Sequence, residues 1–172
     1  MARGSISAWP VRQSGSPLNS CAEWMHRPIA GGRPRRYRKR MKELFQHSAV
    51  TDGITVRVAV NFLPEQSRIE AGKWFWVYHI RIENDTDDTV QLLTRHWRIT
   101  DGRGMVNTVE GDGVVGEQPV LAPGRSHDYV SGCPLTTPMG SMEGGYVFRR
   151  EDGSQFDVAI PFFPLAAPAT AG

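Results

Sequence analysis

Residue types that could bind phosphate or metal are concentrated in one stretch of the sequence, VEGDGVVGEQP at residues 109–119. Its glycines have the G-x-G-x-x-G spacing: Gly111, Gly113 and Gly116. In dinucleotide-binding proteins this spacing lets the backbone approach a pyrophosphate at the N-terminus of the next helix. Here EQPVLAPGR follows, and Pro119 and Pro123 prevent a regular helix at that place. We therefore expect a tight turn whose glycines adopt positive φ.

Three carboxylates lie in or beside this loop, at Glu110, Asp112 and Glu117. They disfavour a phosphate ligand, because like charges repel each other. Carboxylate oxygens also bind hard divalent cations, so direct cation binding is an alternative interpretation of the loop. Neither this loop nor ENDTDD at residues 83–88 has the ligand order of a calcium loop. We expect these acids to be solvated turn residues, and we predict no metal site.

The sequence predicts no catalytic residue and no cofactor. A cysteine nucleophile needs a neighbouring base, and no local signature pairs Cys133 with His96 or His127. The five histidines have no H-x-H or H-x₃-H spacing, and the two cysteines form no C-x-x-C pair, so the pattern is not that of a zinc site. We interpret the protein as non-enzymatic.

Charge divides the chain into a basic leader and an acidic body. Residues 1–40 contain nine of the 20 Lys and Arg but only one of the 18 Asp and Glu, which leaves a net charge of −6 for the remaining residues. An acidic body is not expected to bind nucleic acid. The leader, residues 1–47, is rich in Arg, Pro and Ser and is predicted to be disordered. A basic arm for RNA or membrane, or an upstream extension of a start at Met41, are the interpretations left open.

The two cysteines and the hydropathy pattern favour a cytoplasmic protein. Cys21 lies in the leader and Cys133 in SGCPL, so a disulfide between them is not expected. No apolar run approaches the roughly 20 residues that cross a bilayer. The N-terminus also lacks the apolar core of a secretory signal.

Alternating apolar residues from Ile54 onward predict strands. In KWFWVYHIRIEN the expected core face is formed by Trp74, Trp76, Tyr78, Ile80 and Ile82. Phe75 and Val77 lie on the opposite face, where they contribute either to a partner surface or to packing between sheets. In TVQLLTRHWRIT, the expected shared face consists of Leu93, Arg95, Trp97 and Ile99.

Seven strands are predicted in all: ITVRVAVNF, KWFWVYHIRIEN, TVQLLTRHWRIT, MVNTV, RSHDYVSGC, GYVFRR and QFDVAIPFF. Turn residues separate them, and no window after Thr51 has the 3.6-residue period of a helix. The pattern predicts an all-β fold, an antiparallel immunoglobulin or fibronectin type III-like β-sandwich. The lack of a Cys…Trp…Cys set favours the fibronectin variant, with an open barrel as the alternative.

Four stretches in order, VQLLTRHWRITDGRG, VEGDGVVGEQPVLAPG, SGCPLTTPMGSMEGGY and FDVAIPFF, resemble the ApaG family. The resemblance covers residues 48–165 and departs from the family at Asp112, where a glutamate is usual. It implies an ApaG domain over residues 48–172 with a fibronectin type III-like fold. It also implies a bacterial protein linked to cobalt and magnesium resistance or efflux, beside a diadenosine tetraphosphatase gene. Relatives in eukaryotic proteins use the domain for protein contacts.

The resemblance carries over no catalytic residue, and we predict a non-catalytic module that binds a protein partner. The partner-binding loop is expected at Gly111, Asp112, Gly113, Val114, Val115, Gly116, Glu117 and Gln118, a stretch that in the family has been suggested to bind pyrophosphate. A second expected partner surface comprises Pro138, Met139 and Met142. A weak homodimer is a further candidate assembly. Dinucleoside polyphosphate or pyrophosphate binding through the glycine loop is the alternative function.

Overall fold

The computed structural model describes residues 44–168, which form two antiparallel sheets packed face to face. Nine strands lie within these residues: β1 His47–Thr51, β2 Ile54–Phe62, β3 Trp74–Asn84, β4 Val90–Asp101, β5 Val106–Asp112, β6 Val120–Leu121, β7 Ser126–Leu135, β8 Met139–Arg150 and β9 Gln155–Ala166. Two single 3₁₀ turns, Pro64–Gln66 and Ile69–Ala71, connect β2 to β3. The all-β sandwich expected from the alternating pattern is therefore confirmed.

The strand order leaves one edge of each sheet open. Sheet one has the order β1-β2-β3-β7, and sheet two has the order β5-β4-β8-β9, with β6 pairing to the beginning of β4. The edge strands β1 and β9 lie close together, and the Ala159 amide donates to Thr51 Oγ1 at 3.1 Å. On the opposite side, within residues 44–168, β5 pairs only with β4 and β7 only with β3.

The core lies between the inner faces of the two sheets. Alternation in β3 is confirmed, because Trp76, Tyr78, Ile80 and Ile82 are buried. Sheet two contributes Trp97 and Phe163, whose rings meet edge to face with centroids 6.0 Å apart. Phe75 and Val77 lie half-buried on the outer face of sheet one, where the ring of Phe75 covers Gly132.

Strand β4 differs from its sequence pattern because it contains a β-bulge. The pairing with β8 shifts between Leu92 and Thr94, so Leu92 is the buried core residue and Leu93 occupies the bulge. The expectation that Leu93 shares a face with Trp97 is wrong for this reason. After the bulge, Arg95 pairs with the buried Tyr146 and therefore lies on the inner face of its sheet.

The strand count exceeds the expected seven by two. The additional strands are β1 and β6, which are too short to show a clear alternation. Strand β8 also begins at Met139, earlier than the predicted GYVFRR. The sequence pattern missed its first half because Gly140 and Gly144 have low strand propensity. Residues 1–43 of the expected leader lie outside the described residues. Its last residue, His47, begins β1. None of the helices in residues 44–168 has the length and apolar character to cross a bilayer.

Candidate functional site

The glycine loop is a tight turn held by its own backbone. The Gly113 amide donates to the Leu93 carbonyl at 2.8 Å, and Val114 and Glu117 exchange two backbone hydrogen bonds at 2.8 and 3.0 Å. Between them, Val115 and Gly116 have φ of 50° and 80°. Positive φ at both central residues is typical of a type I′ turn. The expected positive φ is confirmed for Gly113 and Gly116, whereas Gly111 lies in β5.

Backbone geometry makes this loop unlike a dinucleotide-binding loop. The amides of Gly113, Val114 and Glu117 donate to carbonyls of the protein, so they do not point at a ligand. The segment after the loop is the short strand β6 and not a helix. A Cβ at Gly113 would overlap the Glu117 carbonyl, which explains why glycine is needed there. The glycines thus serve the turn itself.

Arg95 fastens this turn to β4. Its Nη1 donates to the carbonyl oxygens of Asp112 and Gly113 at 2.9 and 2.8 Å. Gly111 allows the approach, because a Cβ there would lie only 3.2–3.4 Å from Nη1, Nη2 and Cζ of the guanidinium. None of the ion pairs within residues 44–168 includes Arg95.

A pocket of about 200 Å³ opens beside Arg95, between the two sheets at their open side. Its lining combines one cation, three hydroxyl groups and apolar side chains: Tyr78, Arg95, Trp97, Val114, Val115, Tyr129 and Ser131. Burial raises the pKa of Tyr78 and of Tyr129, so both phenols are neutral at physiological pH. The Tyr129 hydroxyl forms a 2.6 Å hydrogen bond with that of Tyr146, which joins β7 to β8.

The side chains considered for catalysis or metal binding are not assembled into a site. Cys133 is buried in the core, and burial raises its pKa to about 12, so its sulfur is a protonated thiol at neutral pH. Burial lowers the pKa of His127, and His96 is exposed on β4. In the part of the chain that the structure describes, no three His, Cys, Asp or Glu side chains are placed to share an ion.

The second expected partner surface is only partly accessible. Pro138 and Met139 are exposed, but Met142 is 1% exposed and belongs to the core, because it lies on the inner face of β8. The expectation for Met142 is corrected accordingly. Both Thr137 and Met139 lie beside the β4–β5 turn. Thr137 Oγ1 accepts a hydrogen bond from the Gly102 amide at 2.9 Å, and a Cβ at Gly102 would lie 3.0 Å from Met139. The glycine loop lies at the other end of β5, so the two surfaces are separated.

Strand β5 connects these two ends and was missed as a candidate surface. All of its residues except Gly111 are exposed, including Val106 and Val109. Val109 pairs with Trp97 and so lies on the inner side of its sheet, yet it is 41% exposed. The pattern MVNTV gave no sign of this, because an edge strand and a covered strand have the same alternation.

A family model described as the ApaG domain matches residues 64–150. The chain belongs to the ApaG family. A protein ApaG from Bradyrhizobium sp. is 53% identical over 122 residues, which are 71% of this chain and 93% of that protein. The protein ApaG of Brucella suis biovar 1 is 52% identical, with 71% and 94% covered.

Solved ApaG-type structures have the same fold. A crystal structure from Bordetella pertussis, named there as an ApaA protein, is 46% identical, with a TM-score of 0.66, and covers 68% of this chain and 95% of that one. Within this chain, the region that matches the ApaG domain model contains Arg95, the glycine loop and β5. The predicted resemblance is thereby confirmed.

Proposed function

We propose that this ApaG protein is a non-catalytic module of the cytoplasm that binds a protein partner along the β5 edge. We define the β5 edge as β5 together with the turns at its two ends, residues 102–118. The observation that carries the proposal is the exposure of β5 on both sides, next to a free backbone edge. Such an edge can accept an extended segment of another protein as an additional strand.

Apolar side chains along this edge favour a protein over a small ligand. Met105, Val106 and Val109 are exposed along β5 and the turn before it, and Val115 is exposed in the glycine loop itself. The pairings of Val106 with Thr100 and of Val109 with Trp97 place these two valines on opposite faces of β5, so a strand added at this edge could bring apolar side chains against both faces. Glu110 and Asp112 lie on the same strand, so the partner segment is expected to combine apolar and basic side chains.

The family is linked to cobalt and magnesium resistance, and in this proposal the protein affects that resistance only indirectly. Glu110, Asp112 and Glu117 do not form a three-ligand group in the described residues. The protein would therefore influence divalent-cation handling through the partner that it binds. Replacing the three acids by Gln or Asn should leave resistance phenotypes unchanged wherever partner binding is retained.

Affinity capture with the full chain tests the proposal. Val109→Lys places a charge on the β5 edge, and Val130→Lys is the matched control, because Val130 is 45% exposed on β7 in the other sheet. Proteins captured from the cognate bacterial lysate by the native chain should be retained by Val130→Lys and lost with Val109→Lys. Equal capture by both variants, with both folded, would contradict the β5 edge as the binding surface.

Calorimetry with a dinucleoside tetraphosphate, with and without Mg²⁺, tests the alternative function. We expect no binding tighter than about 1 mM, because the amides of Gly113, Val114 and Glu117 are already hydrogen-bonded within the protein. Micromolar binding that Gly113→Ala abolishes in a folded protein would favour nucleotide binding instead.

A further inference from the structure

An arginine on the inner face of a sandwich strand requires an explanation. The bulge in β4 resets the alternation, so Arg95 occupies a position between the inward-facing side chains Leu92 and Trp97. Burying a guanidinium, even partly, is costly unless its hydrogen-bonding groups find partners. Arg95 is half-buried and has no carboxylate partner among the described residues.

The hydrogen bonds of Arg95 leave one edge of the guanidinium available. A guanidinium has five N–H groups, and the two carbonyls of the glycine turn account for those on Nη1. Nε and Nη2 donate to no residue within 44–168. These two nitrogens form an edge whose parallel N–H groups match the two oxygens of a carboxylate. The turn thus fixes the guanidinium in place while this edge stays unpaired.

The space beside Arg95 suits a small group. The pocket has a volume of about 200 Å³, below the roughly 300 Å³ at which pockets for drug-sized ligands begin. Hydroxyl groups of Tyr78 and Ser131 line it and form a hydrogen bond with each other, which leaves one of their two protons for donation to a ligand oxygen atom. Trp97 and Val114 supply apolar walls that suit a short hydrocarbon chain.

The surrounding charges favour a singly charged ligand. Glu117 lies in the turn beside the pocket, where it opposes an approaching polyanion, whereas Glu110 and Asp112 pair with His96 and Thr94 and so lie on the outer face of the sheet. Repulsion grows with the charge of the ligand, so a monoanion is disfavoured least. A carboxylate has one negative charge and the planar geometry of the free guanidinium edge.

We propose that the Arg95 pocket binds a carboxylate group, with Nε and Nη2 of Arg95 as its bidentate partner. The carboxylate belongs either to a small organic acid or to the C-terminus of a peptide. Both sources present the same two oxygens on a short carbon chain. The pocket shares Val114 and Val115 with the β5 edge, but the carboxylate is bound by Arg95 and does not depend on a protein partner at that edge.

Titration of the ¹⁵N-labelled full chain with acetate tests this site. Sodium chloride is replaced by sodium acetate at constant ionic strength, and acetamide is the neutral control of the same shape. We expect acetate to shift the amide signals of Gly113, Val114 and Ser131 with a Kd of about 1–10 mM, and acetamide to leave them in place. Equal effects of the two compounds, or no saturable shift at about 100 mM acetate, would overturn the proposal.

Two variants assign the effect to Arg95. Arg95→Gln should weaken acetate binding about tenfold or more, whereas Arg98→Gln, an exposed arginine on the same strand, should leave it unchanged. Retained binding in a folded Arg95→Gln variant would overturn the assignment. The comparison of acetate with acetamide in the native chain decides the matter if that variant does not fold.

The source of the carboxylate is distinguished in parallel titrations. Acetylated tri-alanine with a free C-terminus is compared with the same peptide as its C-terminal amide and with propionate. Tighter binding of the peptide acid than of propionate, with no binding of the amide, identifies a peptide C-terminus. Propionate binding as tightly as the peptide acid identifies a small organic acid.

Discussion

Two arginines on strands of different sheets, Arg81 on β3 and Arg95 on β4, have opposite surroundings. Arg81 lies on the outer face of sheet one and donates from three nitrogens, to Glu83 at 2.9 Å, to Asp128 at 3.0 Å and to Ser126 at 2.8 Å. Arg95 lies on an inner face and donates from one nitrogen to two carbonyls. A fully paired arginine stabilises the fold, and a half-paired arginine beside a pocket is a candidate for ligand binding.

The largest expected effect comes from the turn that holds Arg95. Gly113→Ala introduces a Cβ that overlaps the Glu117 carbonyl at a positive φ, and we expect a loss of about 3 kcal/mol or more in the free energy of unfolding. Gly116→Ala is the control, because it has the same sign of φ but open space around the Cβ, with a loss of about 1 kcal/mol. Urea unfolding measures both, and equal losses would contradict the clash.

Substitution of the two arginines themselves tests the comparison directly. Arg81→Gln leaves Glu83 and Asp128 without a shared cation, and we expect it to cost about 2 kcal/mol in the free energy of unfolding. Arg95→Gln removes two hydrogen bonds to carbonyls and should cost about 1 kcal/mol. A greater loss for Arg95→Gln than for Arg81→Gln in urea unfolding would mean that Arg95 is the more structural of the two.

The pH dependence of stability isolates the outer-face network. Burial alone would raise the pKa of Glu83, but hydrogen bonds from Arg57 and Arg81 outweigh it and hold the pKa below its usual 4.5. A lowered pKa stabilises the fold above pH 4.5, and this contribution is lost as pH falls through the folded-state pKa. Glu83→Gln should therefore cost about 1 kcal/mol at pH 7, and the cost should fall as the pH is lowered below 4.5. A cost that is independent of pH would show that the charge of Glu83 is not involved.

The smallest effect is expected for an arginine that is paired but solvated. Arg98 and Glu143 form an ion pair at 2.6 Å, with their side chains 49% and 41% exposed. Exposed pairs contribute little because water competes for both charges, so Arg98→Gln should change the free energy of unfolding by less than about 0.5 kcal/mol. A change as large as that of Arg81→Gln would show that burial does not explain the ranking.

The sequence was sufficient to predict the two layers of the fold, but it was not sufficient to predict the pocket. Alternation identified the inner face of β3, because each apolar residue there meets the same core. It failed at Leu93, because a bulge adds one residue without any compositional signature. Arg95 therefore looked like one member of a mixed face, and its place beside Tyr78 and Ser131 depends on strand pairings distant in the sequence.

The glycine turn was predicted for the right physical reason, whereas one surface residue was not. Pro119, Pro123 and the local acids argued for a turn without a following helix, and the structure has a turn stabilised by its own backbone. Met142 was assigned to a surface because methionine side chains adapt to protein partners, but β8 continues through that segment and directs the side chain inward. Burial on a particular side of a strand depends on register, which composition does not specify.

The hydroxyl contact between Tyr129 and Tyr146 has a mechanical consequence. It crosses from one layer to the other at the wall of the cavity, and both groups are buried, so water cannot replace the bond if the layers slide. The distance between the two sheets next to Arg95 is thus set by the protein itself, before a ligand binds. A ligand would meet two layers whose spacing this bond already holds, so its size would decide whether it fits.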